Sequence, residues 1–159
     1  MALVASLLFV LLTALALAAL PRKLPLRTNI ILYMALSIVI INKFTLLTYS
    51  YRLYTVSEHP VKFLAAVLQR DFTVTLGMLV FANAFFTETR LARRLGAAAG
   101  VLLLLVATGQ VLLRLDVFQY RLWNIGYEVL TIAAMMAVTY GFAKGALALE
   151  RKEERAHAG

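Results

Sequence analysis

Residues 3–20 read LVASLLFVLLTALALAAL, a run with no charge, no proline and no glycine. At 1.5 Å rise per residue it makes a helix of about 27 Å, close to the ~30 Å hydrocarbon core of a bilayer. In lipid a backbone must satisfy its own hydrogen bonds, so the run is expected as a helix. Four further stretches of the same kind follow: about 26–49, interrupted only by Asn42 and Lys43; 61–86, with Gln69, Arg70 and Asp71 in its first half; 96–115; and 122–149. All are continuous rather than alternating, which excludes the outer-membrane barrel pattern. In the third, residues 72–86 alone would reach roughly 22 Å, too short to cross. Its helix is therefore expected to include Arg70 and Asp71, with both side chains facing protein.

Composition agrees. Of 159 residues 62% are hydrophobic and 15% charged, and the mean hydropathy is +0.83. A soluble domain is about half apolar and a quarter charged. The expected fold is thus an all-α integral membrane protein, one five-helix domain over residues 1–149 with a polar tail, 150–159, as a frayed helix end. With no cysteine, disulfides, thiolate metal sites and a Cys nucleophile are excluded. Two histidines, His59 and His157, leave little for zinc or a bis-histidine haem, so no metal and no cofactor is expected.

The basic residues give the orientation. No Lys or Arg precedes the first apolar run, as a signal peptide requires; Arg22, Lys23 and Arg27 follow it, the order of an N-out anchor helix. With the N-terminus outside, cytoplasmic segments carry Arg22, Lys23, Arg27, Arg90, Arg93, Arg94, Arg151, Lys152 and Arg155. The outside loops carry Arg52, Lys62 and Arg121. That bias predicts a multi-pass protein of a cytoplasmic membrane, N-outside and C-inside. The formal charge of +8 is accounted for by topology signals and phospholipid contacts, and no nucleic-acid partner is expected. Pro21 to Pro25 is read as a stiff turn, and Ser50–Pro60 and Asp116–Arg121 as outside loops.

With that topology the polar side chains collect towards the outside: Lys43, Arg70, Asp71, Arg114, Asp116 and Glu128, three of each sign, beside Gln69 and Gln110. An isolated charge at mid-helix costs on the order of 2.5–3.5 kcal/mol, so such groups pair or line a cavity. Mutual pairing that fixes helix crossings, a polar site opening outside, and snorkelling near helix ends all remain open. Tyr49, Tyr51, Tyr54, Tyr120, Trp123 and Tyr127 fall at the same end, as an interfacial belt or a lined vestibule. Small residues at four-residue spacing, Gly96 and Gly100 in the fourth span and Ala133, Ala137, Gly141 and Gly145 in the fifth, mark packing seams. They serve either the bundle itself or a homo-oligomer or other membrane protein.

Catalytic templates are absent: no GxSxG, HExxH or P-loop. Glu58-His59-Pro60 offers two ligands where zinc needs three or four, so it is read as a solvated loop. Asp71 and Glu128 are the candidate carboxylates for an ion or proton path, yet polar groups on one side only argue for binding or assembly rather than a pore. The inner half holds few polar groups, chiefly Asn83, Glu88 and Lys144.

The segment Ala19-Leu20-Pro21-Arg22-Lys23-Leu24-Pro25, together with Asp116-Val117-Phe118-Gln119-Tyr120 and Trp123-Asn124, resembles an uncharacterised family of small multi-span membrane proteins of spore-forming Firmicutes. In those members an aromatic-Tyr segment and a Trp-Asn or Trp-Lys pair precede the last helix. The specific likeness covers about a dozen residues, and the Ala, Leu and Arg richness here departs from that family's Ile, Lys and Phe bias. The resemblance implies a bacterial source and assigns no activity. The expected function is a non-enzymatic binding, sensing or assembly subunit. In it Arg70 and Arg114 would hold an anionic group, while Trp123 and Tyr127 pack its apolar part. A small channel or transporter is the alternative, and a membrane enzyme acting on lipids the third.

Overall fold

The computed structural model describes residues 1–20 and 24–157. It is an all-helical bundle of five helices long and apolar enough to cross a membrane: Ala2–Ala19, Leu26–Ser50, Pro60–Thr87, Leu91–Arg114 and Ile125–Glu150. The first is α1 (Ala2–Ala19), and α2 (Leu26–Thr45) is prolonged by a π-helical turn, Leu46–Ser50. The third consists of α3 (Pro60–Leu68), a π-helical turn (Gln69–Val74) and α4 (Thr75–Thr87) in one unbroken helix. Arg70 and Asp71 are therefore inside it, as the length argument requires. Helix α5 is Leu91–Arg114 and α6 is Ile125–His157.

Prolines mark several of the boundaries. A residue before proline is pushed out of the helical region, and Leu20 and His59 both stand extended, at ψ 138° and 124°. Pro60 then opens α3 at its first turn, where a missing N–H costs nothing. Of the expected stiff turn, Pro21, Arg22 and Lys23 lie outside the described residues. The tail continues α6 as helix to His157; Ala158 and Gly159 lie outside the described residues. Helix α5 begins five residues before the expected start, and α6 three residues after it.

That later start has a cause the sequence reading did not foresee. The two segments expected as loops pair as an antiparallel ribbon, β1 (Tyr54–Val56) with β2 (Phe118–Tyr120), in the register Tyr54↔Tyr120, Thr55↔Gln119 and Val56↔Phe118. Ser57 N–H donates to Val117 O at 3.0 Å, and Arg121 and Leu122 N–H both reach Leu53 O at 3.1 Å. Arg52 and Asp116, one beside each strand, take positive φ of 50° and 55° to make the reversals. The ribbon closes one end of the bundle.

The third span is the centre: α4 packs against α1, α2, α5 and α6. The main core joins Leu32, Leu36 and Ile40 of α2, Met78 and Phe81 of α4, Leu105 of α5 and Met135, Met136 and Ala143 of α6. A smaller cluster near the ribbon ties Ala2 to Ala65, Ala66, Leu112 and Val117. Helix α1 buries Ala2, Ser6 and Thr13 and leaves Leu7, Leu8, Leu11, Leu12 and Leu15 exposed. Ser6 Oγ donates to Ala65 O at 3.1 Å across the α1–α3 contact, and Thr13 Oγ1 back to Phe9 O at 2.9 Å.

The close seam between helices is not where four-residue spacing placed it. A Cβ on Gly77 would stand 2.8 Å from Leu105 Cδ2, whereas one on Gly96, Gly100, Gly141 or Gly145 would meet nothing within 4 Å. Ala133 and Ala137 are exposed as well. Helix α6 buries Ile132, Met135, Met136, Thr139 and Ala143 instead, so its small-residue row points away from the bundle. Gly77→Leu is expected to destabilise the monomer by about 1–3 kcal/mol through overpacking. Gly141→Leu should leave it unchanged; thermal unfolding of both variants in detergent reads the contrast.

Candidate binding cavity beneath the ribbon

Under the ribbon, α2, the Gln69–Val74 turn, α5 and α6 line a half-open cavity of about 90 Å³. Helix α2 supplies Ile40, Lys43 and Phe44 to its wall, with Leu47 from the turn after it; the Gln69–Val74 turn supplies Gln69, Arg70 and Val74. Helix α5 adds Leu105 and Gly109, and α6 adds Glu128, Thr131 and Ile132. Tyr54, Phe118, Tyr120 and Trp123 form the roof. In an α-helix neighbouring residues diverge by about 100°. The wider π turn is a local departure from that spacing, of a kind frequent at functional sites, and here consecutive Gln69 and Arg70 both line the wall.

Glu128 occupies room that Gly109 leaves, since a Cβ at Gly109 would run into its carboxylate. Its Oε2 accepts from Gln110 Nε2 at 3.0 Å and from the Tyr120 hydroxyl. Charge-assisted hydrogen bonds of this kind are the strong ones. Arg70 forms a two-pronged pair with Asp71, Nε to Oδ1 at 2.5 Å and Nη2 to Oδ2 at 2.9 Å, and its guanidinium lies 5.0 Å over the Phe44 ring. Gln69, only 5% exposed, donates from Nε2 to Thr108 Oγ1 at 2.8 Å. Lys43 makes no ion pair within 4.0 Å among the described residues.

The roof is an aromatic cluster centred on Tyr54, whose ring meets Phe44, Phe118 and Trp123 edge-on at 5.9, 6.0 and 5.9 Å. Burial pushes the Tyr54 hydroxyl up to about 12; the Thr48 hydroxyl opposes that shift and the Glu128 carboxylate adds to it. Tyr120 is also raised above its ordinary value, first by burial and then by its bond to Glu128.

Of the residues singled out in the sequence, Lys43, Arg70, Tyr120, Trp123 and Glu128 converge on the cavity. The others do not line it. Asp71 backs Arg70. Tyr127 is exposed and touches the group through Trp123 at 5.7 Å. Asp116 is exposed and faces Lys62 at 3.9 Å. Arg114 is exposed, because α5 buries Thr108, Gly109 and Leu112 on its inner side. Mutual pairing of three cations with three anions is thus corrected to a single pair, Arg70–Asp71. Glu128 is held by neutral donors, and Asp116 faces Lys62 in the first turn of α3.

Sequence reasoning missed Thr108, Gly109 and Phe44 as parts of the site, took Gln69 and Gln110 only as polar groups, and placed Tyr54 only among the aromatics of a belt or vestibule. A signal was present: Thr108-Gly109-Gln110 interrupts an otherwise Leu- and Val-rich helix. The opposite end is also more polar than expected. Thr28 Oγ1 donates to Glu150 Oε1 at 2.5 Å, Asn83 Nδ2 to Asn29 Oδ1 at 2.7 Å, and Arg94 Nε to Glu88 O at 2.6 Å. Glu58 and His59 are exposed before α3, and no group of three or more His, Cys, Asp or Glu able to hold a metal occurs among the described residues.

Comparison with protein-family models, curated proteins and solved structures finds no match for the chain.

Tyr120→Phe removes a hydrogen bond to a carboxylate and is expected to cost about 1.5–3 kcal/mol, read by thermal unfolding. A second expectation concerns pH. Because the folded state disfavours the Tyr54 phenolate, Tyr54 contributes in full below its unfolded pKa of about 10. That stability is lost as pH rises towards about 12. The unfolding midpoint should fall across that window, and Tyr54→Phe should flatten the fall.

Proposed function

We propose that the chain is an integral protein of a bacterial cytoplasmic membrane, crossing it five times with the N-terminus outside and the C-terminus inside. It works there as a binding, sensing or assembly subunit through the cavity beneath the ribbon. Membrane insertion is supported by the inversion on α1, where Ser6 and Thr13 are buried and the leucines exposed. That arrangement suits a helix whose surroundings are as apolar as leucine. The orientation rests on the basic residues, and the bacterial source on the resemblance of residues 19–25 and 116–124.

One observation carries the binding role: Lys43, Arg70, Glu128 and Gln69 line one half-open cavity, and Gln69 Oε1 is buried there without a hydrogen-bond partner. In this function Lys43 and Arg70 hold an anionic group, Lys43 taking the part expected of the exposed Arg114, and Trp123 packs the ligand's apolar part. A channel through Asp71 and Glu128 has less support. Leu36, Met78, Leu105 and Met135 fill the interior beyond the cavity, and Asp71 does not line it. A membrane enzyme acting on lipids would require Asp116, Glu128 or His59 to face a lipid-accessible cleft. Asp116 and His59 do not line the cavity, and the Glu128 carboxylate that does is bonded to Gln110 and Tyr120.

Assembly with a second copy is favoured by a separate observation, the outward rows of Gly96 and Gly100 and of Gly141 and Gly145. Joint replacement of Gly141 and Gly145 by Ile should lower the oligomeric mass of the purified protein with the monomer fold intact. An unchanged mass removes this second role.

Orientation is read by single cysteines in a chain that has none of its own. An impermeant maleimide added to intact cells is expected to label Ser57→Cys and spare Ala92→Cys; the opposite pattern overturns the topology. For the cavity, native mass spectrometry from mild detergent should find a small molecule or lipid on the protein. It should be lost at least tenfold in Lys43→Gln and Arg70→Gln variants that still fold. Equal retention in both variants ends the binding role.

A further inference from the structure

We infer that the cavity takes a small net-neutral zwitterion, a primary ammonium joined to a singly charged anion, as in the phosphodiester headgroup of an ethanolamine phospholipid. This rests on the binding role proposed above and adds the chemistry of what is bound.

The inference starts from one amide. Thr108 Oγ1 spends its only proton on Leu105 O, at 2.9 Å, so towards Gln69 it can only accept. That fixes the Gln69 side chain with Nε2 on Thr108 and its oxygen turned elsewhere. Gln69 Oε1 is buried and has no hydrogen-bond partner. A buried acceptor left bare costs about 1–3 kcal/mol, and the residue lines the cavity. Whatever fills that space has to bring a donor.

Glu128 makes the same demand. Both of its bonds, from Gln110 and Tyr120, end on Oε2, and Oε1 has no hydrogen-bond partner among the described residues. Gln69 Oε1 and Glu128 Oε1 are thus both left without a donor, on two residues that line the same cavity. The opposite requirement comes from Lys43, which lines the same cavity, carries three donors and makes no ion pair within 4.0 Å among the described residues. Arg70 has Nε and Nη2 committed to Asp71 and keeps Nη1.

Charge decides the class. Arg70 is neutralised by Asp71, and Lys43 balances Glu128, so the lining is neutral as a whole. A net anion or a net cation would bring an unbalanced charge into a weakly solvated space, which is costly. A zwitterion brings none, and its two ends match the two kinds of open group: ammonium to Gln69 Oε1 and Glu128 Oε1, anion to Lys43 and Arg70. A quaternary ammonium has no N–H to give Gln69. The same chemistry can come from a phospholipid headgroup or from a free molecule.

The single tryptophan, Trp123, lines the site and reports its occupancy. The full chain in maltoside detergent is titrated with dihexanoyl phosphatidylethanolamine, its phosphatidylcholine and phosphatidylglycerol counterparts, and soluble glycerophosphoethanolamine, following Trp123 emission. A saturable change with the ethanolamine lipid at least tenfold tighter than with the choline lipid is expected, with that preference lost in Gln69→Leu. The comparison on the unaltered chain decides even where that variant fails to fold. An equal response to glycerophosphoethanolamine identifies a free zwitterion as the source; a response to the lipid alone identifies the lipid headgroup. If the choline lipid binds as well as the ethanolamine lipid, the primary ammonium is overturned, and if the glycerol lipid does, the zwitterion is; in either case the binding role stands. No response to any probe, together with no molecule retained in native mass spectrometry, overturns both.

Discussion

A guanidinium and a carboxylate in consecutive positions of an otherwise apolar helix set the terms for this fold. Arg70 and Asp71 cannot be left bare in a low-dielectric surrounding, and on their own helix they satisfy each other through two short bonds. What remains is their covering. The span that carries them is the one the other four helices wrap. Phe44 lies under the guanidinium, and Tyr33 reaches the Asp71 carbonyl at 3.4 Å. The neighbouring π turn contributes Gln69 to the same region. The central place of the third span, its widened turn and the cavity beside it are consequences of this pair's position.

A division of labour among side chains follows. On α1 the large aliphatic residues face outward and Ala2, Ser6 and Thr13 face the bundle, whereas α2, α4, α5 and α6 meet chiefly through Leu, Ile, Met and Phe side chains. Thr13, Thr139 and Thr131 return their protons to their own helix, while Ser6 and Thr28 donate across to another. Gly77 and Gly109 each admit a partner side chain, Leu105 and the Glu128 carboxylate respectively. In both cases the missing side chain makes the space that its neighbour fills.

The helices were legible because a continuous apolar run of the right length has one regular structure open to it in lipid, and the third helix's inclusion of Arg70 and Asp71 followed from length alone. Five of the nine residues chosen for the site converge because depth along a helix can be counted from its ends. Rotation about the helix axis cannot be read as readily when all faces are apolar. Arg114 therefore turned out on the exposed side of α5, and the glycine row of α6 faces away from the bundle rather than into it. The ribbon was illegible for another reason. Tyr54–Val56 and Phe118–Tyr120 are too short to declare a strand, and their pairing depends on two helix ends being brought together first. Gln69 and Thr108 belong to the same class, since their hydrogen bond joins residues 39 apart in sequence.

The ribbon joins the connection between the second and third helices to the one between the fourth and fifth, with Tyr54 paired to Tyr120. In a chain threaded into a bilayer from its N-terminal end, β1 emerges while its partner strand is still unsynthesised. Two more helices have to be placed before β2 arrives, and α6 must follow before Trp123 and Glu128 take their positions. The chamber is consequently the last part of the protein to exist. On the proposed five-span topology, a chain that fails to place one of the two helices between β1 and β2 would leave the strands on opposite sides of the bilayer, so the chamber could form only once both are inserted.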